Sequence, residues 1–229
     1  MRRLLEQFET VVVLDLETTG LSFRQDQVIE LGAVRWDGGE VTEEVEDLIR
    51  LEPGTSLPQK ITELTGITGQ MLSAQGVSKE AAAEDLHRLL AGEDRLVVTY
   101  NAQFDLNFLY YFLKRYGDPA WLRGVRMLDA LTVYRDRRPY PHRLENAIAA
   151  YHLEEAAVNS HRAVDDAKAA ALVLQAMEKE RDDLERYINL FGYHPRYGVS
   201  GQRIHSVRYL PQPYDSALPL YEQQLEKIR

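Results

Sequence analysis

The apolar residues of this chain fall into short continuous runs in its first half and into helical spacings in its second. Val11-Val12-Val13-Leu14 is an unbroken apolar run, the pattern of a strand buried on both faces. It leads into Asp15-Leu16-Glu17, two acids that project from one face of the same strand. Val28 to Trp36 reads as a second strand, Asp37-Gly38-Gly39 as a turn, and Val41 to Leu51 as the return strand, ended by Pro53-Gly54. Two short helices are expected around Pro58–Leu64 and Gly69–Leu72. Ser78 is placed to cap a helix over Lys79–Leu90, with Gly92 as its stop. Leu96 to Tyr100 forms another short strand, and Phe104 to Tyr116 a helix stopped by Gly117 and Pro119. Val125 to Leu128 predicts the last strand, followed by a helix over Asp129–Tyr134, a charged loop over Arg135–Pro141 and a helix over Leu144–Tyr151. A long helix is expected from about Arg162 to Leu190, alanine-rich in its first half and charged from Glu178 to Asp183. Within it, Asp182 and Arg186 have the spacing of a helical ion pair.

Three consecutive strands, then strands alternating with helices, predict an α/β fold: a mixed sheet flanked by helices. Residues 191–229 change character, with five tyrosines and five Lys/Arg against three Asp/Glu. The expected organisation is therefore a domain over 1–190 and a tyrosine-rich basic extension over 191–229. Tyr193, Tyr197, Tyr209 and Tyr214, with Arg196, Arg203 and Arg208, have the composition that holds a single strand by stacking; packing on the domain or on a partner is the favoured reading of that segment.

Composition narrows the chemistry. The net charge of −9 leaves no overall basic footprint for wrapping duplex nucleic acid, and the absence of cysteine excludes disulfides, thiol catalysis and thiolate metal sites. No apolar leader or run of membrane-spanning length stands out, so a cytoplasmic location with no membrane partner is expected.

A core strand ending in two acids is poorly explained by packing, because buried carboxylates are costly unless paired; a divalent cation explains it well. Two further acids stand in similar places. Asp105 lies where the strand ending at Tyr100 enters a helix, a position that also suits the helix dipole. Asp166 begins the alanine-rich helix face, with Asp165 turned toward solvent. His161, just before that helix, is placed either as a polar helix-start residue or as a base for a metal-bound water. His87, His142 and His152 read as structural or solvated, and Arg135 to Arg138 as a solvated loop.

In order along the chain, Asp15-x-Glu17-Thr-Thr-Gly, Asn101-Ala-x-Phe-Asp105 and His161-x4-Asp166 resemble the three motifs of the DEDD exonuclease superfamily, in its histidine-bearing branch. The pattern is most similar to the proofreading epsilon subunits of bacterial DNA polymerase III and their relatives, and Ile61 to Thr68 resembles the loop between the first two motifs. The resemblance spans roughly residues 8 to 177. It implies a ribonuclease-H-like fold with a five-stranded mixed sheet, and metal-dependent 3′→5′ hydrolysis of single-stranded ends releasing nucleoside monophosphates, as in proofreading or repair. Asp15, Glu17, Asp105 and Asp166 would hold two Mg²⁺ or Mn²⁺ ions, with His161 as general base. Thr18, Thr19, Gly20 and Leu21 would line the terminal nucleotide, and Asn101 and Phe104 would position the strand. DNA is favoured over RNA, and a DNA polymerase or another replication or repair protein is a possible partner. The alternatives are an exoribonuclease that trims RNA ends or degrades oligonucleotides, and a binding module without activity.

Overall fold

The computed structural model describes residues 4–193, 207–211 and 218–223. A short helix α1 (Leu4–Gln7) precedes β1 (Thr10–Thr18), which continues past the apolar run to include both acids. β2 (Val28–Asp37) and β3 (Glu40–Leu48) form a hairpin whose turn glycines, Gly38 and Gly39, take φ of 60° and 91°, the region the tight turn requires. Short helices α2 (Gln59–Thr65) and α3 (Gly69–Gln75) follow, then α4 (Lys79–Leu89), where the Ser78 hydroxyl accepts from Ala81 N at 3.1 Å as the cap the sequence predicts. β4 (Arg95–Thr99), α5 (Ala102–Tyr116), β5 (Arg126–Asp129), α6 (Ala130–Arg137), α7 (Leu144–Ala150) and α8 (Ala163–Glu180) complete the main body.

The five strands form one mixed sheet in the order β3-β2-β1-β4-β5. β1 is antiparallel to β2 and parallel to β4. The period of two along β1 divides the core: Val11 and Val13 face a layer built from α6, α7 and α8, whereas Val12 and Leu14 face α4 and α5. The carboxyl ends of the adjacent parallel strands β1 and β4 open at one edge of this sandwich, where the sheet leaves room for loops to converge.

Several expectations need correction. α8 stops at Glu180, ten residues early: Lys179 to Asp182 are exposed, but Asp183 and Leu184 turn back onto the body. Asp183 is buried and ion-paired with Arg137, a guanidinium only 1% exposed that also donates to Met177 O at 2.5 Å. A 3₁₀ turn over Leu184–Tyr187 then seats Leu184 and Tyr187 in the core. The Asp182–Arg186 helical pair accordingly does not form; Arg186 meets Glu222 at 3.2 Å instead. Arg135 to Arg137 belong to α6 and not to a solvated loop. His87, read as structural or solvated, is exposed and stacks on Trp121 with ring centroids 4.1 Å apart, in keeping with that reading.

Beyond α8, β6 (Leu190–Tyr193) pairs in parallel with β7 (Arg208–Pro211). Phe191 and Leu220 are fully buried, and Leu220 N donates to Asp136 Oδ2 at 2.7 Å. Tyr197, Tyr214, Arg196 and Arg203 lie outside the described residues. No helix among the described residues is long and apolar enough to cross a membrane.

Candidate active site

At the end of β1 the burial pattern alternates: Leu14, Leu16 and Thr18 are buried, while Asp15 and Glu17 are partly open on the same face. In the β1–β2 register Asp15 stands opposite Gly32 and Glu17 opposite Glu30. Burial, then the charges of Asp166 and Glu30, push the Asp15 carboxyl up to about 8. Glu17 is pushed up to about 9 by burial, then by Asp15, Asp166 and Glu30.

The second strand of the site ends in a tight entry into α5. Asn101 takes φ of 86°, a left-handed conformation tolerated by Asn. The turn is held by the buried Asp129, whose Oδ1 accepts from Asn101 N at 3.0 Å and Ala102 N at 3.1 Å. One turn into α5, Asp105 is 1% exposed, and neither carboxylate oxygen has a hydrogen-bond partner. Burial, and then the nearby Asp15 charge, hold this carboxyl well above the usual carboxylate range. Buried polar atoms are ordinarily satisfied, so an orphaned buried carboxylate facing other acids calls for a positive partner.

The third contribution comes from the start of α8. His161 is exposed with φ of 55°, and the buried Asp166 lies within the first turn of the helix. Ligand atoms of Glu17, His161 and Asp166 all lie within 4.8 Å of one another, a group able to hold a metal ion. Burial raises the Asp166 carboxyl to about 6, opposed by a hydrogen bond from Asn159 Nδ2 at 2.9 Å and by His161. The helix start is clasped to the sheet by Glu30, which is fully buried on β2: Arg162 Nε and Nη2 donate to its Oε1 at 2.8 and 2.6 Å, and Ala163 N to its Oε2 at 2.9 Å. Arg162 also reaches Glu46 on β3 at 2.8 Å. Gly32 permits this approach, since a Cβ there would sit 2.0 Å from Val164 N and 2.1 Å from Ala163 C.

Of the five acid and histidine positions read from the sequence, Glu17, His161 and Asp166 lie in direct proximity, Asp15 feels the charge of Asp166, and Asp105 feels that of Asp15. Asp15, Asn101, His161 and Asp166 line one cleft of about 530 Å³. Thr18 to Leu21, which continue from the end of β1, and Phe104 are not among the residues that line this cleft. The Thr18–Leu21 segment is braced by Asp26, which accepts from Thr19 Oγ1 at 3.1 Å and Ser22 N at 2.8 Å. Leu21 is 85% exposed, an apolar side chain held out in water. Phe104 is half-buried and packs on Phe108 with centroids 4.7 Å apart. Sequence reasoning missed Glu30, Asn159 and Asp129. An acid inside the apolar run Val28-Ile29-Glu30-Leu31 is the same anomaly as Asp15 and was detectable in that way; Asn159 left no comparable signal.

The profile of the exonuclease family RNase_T matches residues 12–174. DNA polymerase III of the PolC type from Thermotoga maritima is 34% identical over 203 residues, covering 81% of this chain but 14% of the relative. The corresponding protein of Clostridium perfringens is 33% identical, covering 76% of this chain and 12% of the relative. The chain thus spans only a small part of these polymerases. The DNA polymerase III subunit epsilon of Aquifex aeolicus is 33% identical over 169 residues, covering 71% of this chain and 77% of the relative. Among solved structures, E. coli Exonuclease I in complex with a dA16 oligonucleotide superposes with a TM-score of 0.70 at 24% identity, over 78% of this chain and 42% of that one. Exonuclease I from Methylocaldum szegediense gives 0.66 at 21% identity, over 76% and 41%. The five-stranded mixed sheet with flanking helices is their ribonuclease-H-like fold.

Proposed function

Given that the chain belongs to the exonuclease family RNase_T, we propose that it is a metal-dependent 3′→5′ exonuclease acting on single-stranded DNA ends. The carrying observation is the convergence of Glu17, His161 and Asp166 beside Asp15 and the orphaned, fully buried carboxylate of Asp105. Four carboxylates and one imidazole form a hard-donor set that suits Mg²⁺ or Mn²⁺. The family is metal-dependent. Asp15, Glu17, Asp105 and Asp166 are the residues that would hold two ions; when bound, such ions lower the pKa of water and stabilise charge on the attacking and leaving oxygens.

The protein's own residues supply the rest. His161, exposed at the mouth of the cleft, accepts the proton of the attacking water. Attack at phosphorus breaks the bond to the 3′ oxygen of the preceding nucleotide and releases a 5′-mononucleotide. Asn159 holds Asp166 in orientation through its 2.9 Å bond. Thr18 to Leu21 grip the terminal nucleotide, with Leu21 against the base, while Asn101 and Phe104 position the strand. A DNA substrate is supported by relatives that are DNA polymerase III proteins and by the oligodeoxynucleotide bound to Exonuclease I. Action beside a replicative polymerase is supported by the same relatives.

The test uses end-labelled single-stranded DNA, RNA of matched sequence and a mismatched duplex, with Mg²⁺, Mn²⁺ or EDTA. Release of single nucleotides from the 3′ end, with metal only and fastest on DNA, is expected. A faster rate on RNA would replace the substrate, and no metal-dependent release would remove the activity.

A further inference from the structure

We infer that Arg135 binds a backbone phosphate of the substrate strand on the 5′ side of the bond being cut; this rests on the exonuclease reading above. Arg135 lines the same cleft as Asp15, His161 and Asp166, as do Tyr140 and Arg143. Its neighbours in the basic run are committed to the protein. Arg137 bonds Met177 O, Glu180 and Asp183, and Arg138 bonds Glu180 Oε1 at 2.6 Å. Arg143 is solvent-exposed and pairs with Glu145 at 3.5 Å. Arg135 has no hydrogen bond or ion pair among the described residues, and its Nε–H is buried without an acceptor.

The acid Arg135 feels is Asp129, which is already occupied. Asp129 accepts from Asn101 N, Ala102 N, Leu131 N at 3.2 Å and the Thr132 hydroxyl at 2.5 Å. This leaves a guanidinium held in place by α6 with its donors unused and one of them desolvated. Such a group suits a ligand with paired oxygens, and a phosphodiester fits its planar fork. The bond being cut belongs beside the carboxylates of β1, α5 and α8, whereas Arg135 stands on α6, so the phosphate it takes is an upstream one. Tyr140, 78% exposed and lining the same cleft, offers a face on which the adjoining base can stack.

The experiment uses the full chain and two variants, Arg135→Gln and Arg135→Lys. Affinity for a fluorescein-labelled oligothymidylate is measured by anisotropy with Ca²⁺ across a salt series, so the reading does not depend on turnover. Arg135→Gln is expected to weaken binding about tenfold and to reduce the slope of log affinity against log salt by about 0.7, the share of one phosphate contact. Arg135→Lys should recover the slope but only part of the affinity. Hydrolysis with Mn²⁺ is then compared on the oligonucleotide and on the p-nitrophenyl ester of thymidine 5′-monophosphate, which has no upstream phosphate. The loss on the ester is expected to be several-fold smaller. An unchanged salt slope in Arg135→Gln overturns the inference, and equal losses on both substrates overturn the upstream placement. A wild-type protein that binds through Arg135 but cleaves neither substrate overturns the exonuclease reading instead.

Discussion

Asp105 combines full burial with two unsatisfied carboxylate oxygens, and this single residue yields the sharpest expectation. Asp105→Asn keeps the shape and removes a carboxyl that must take up a proton, or bury a charge, on folding. The metal-free variant should melt at a higher temperature than the wild type, while nucleotide release falls at least about a hundredfold. Calorimetry and end-label release check the two halves, and a variant that turns over normally would exclude Asp105 from the site. The same logic fixes a pH dependence. Asp166, Asp15 and Glu17 have ordinary values of 3.8, 3.8 and 4.5 and are raised to about 6, 8 and 9 in the fold. A carboxyl whose pKa is higher in the folded state takes up a proton on folding, so stability falls as pH rises between the two values. The metal-free protein should therefore lose stability steadily from about pH 4 to about pH 9. Added Mn²⁺ should restore more of it at the alkaline end, where the carboxylates are ionised and free to ligate. A flat melting profile without metal would contradict these shifts. His161→Gln should lower turnover by about a hundredfold or more, as loss of a general base does. Mn²⁺ should still stabilise the fold of this variant.

Among the elements, β1, β4 and α5 are largely legible from local pattern, because each pairs an apolar run with an acid where the chain leaves the sheet. The end of α8 is not legible. The charged run after Glu178 has every local mark of a solvated helix, and only Arg137, more than forty positions away, shows why Asp183 turns inward. Such pairings leave no trace in a window of neighbouring residues. The β2–α8 clasp is hidden for the same reason, yet it sets where His161 and Asp166 stand. Gly32→Ala tests it. The added methyl would overlap the backbone at Ala163 and Val164, so α8 must move off the sheet. A loss of at least about 2 kcal/mol in denaturant unfolding is expected, together with loss of nucleotide release. Retained activity at wild-type stability would mean that the contact does not position the third motif.

For the molecule as a whole, the net charge of −9 means that, on the exonuclease reading, binding of an acidic polymer would depend on metal and on a few placed cations. The segment after α8 contributes to the body: Leu220 is fully buried, and Tyr221 donates to Asp183 Oδ2 at 2.7 Å. Leu220→Ala should cost about 3 kcal/mol of unfolding free energy, as truncation of a buried leucine does. An unaffected unfolding curve would show that this segment is a passenger.

The glutamate–arginine clasp joins positions 132 apart in the sequence, and this has a consequence for synthesis. A ribosome-bound chain that has emerged only through α7 already contains Asp15, Glu17 and Asp105, but neither Arg162 nor the histidine and aspartate it anchors. The candidate site closes only when a late segment finds an early one, an ordering imposed by topology. On the exonuclease reading proposed above, the nascent polypeptide should be inert toward nucleic acid until the last long helix docks.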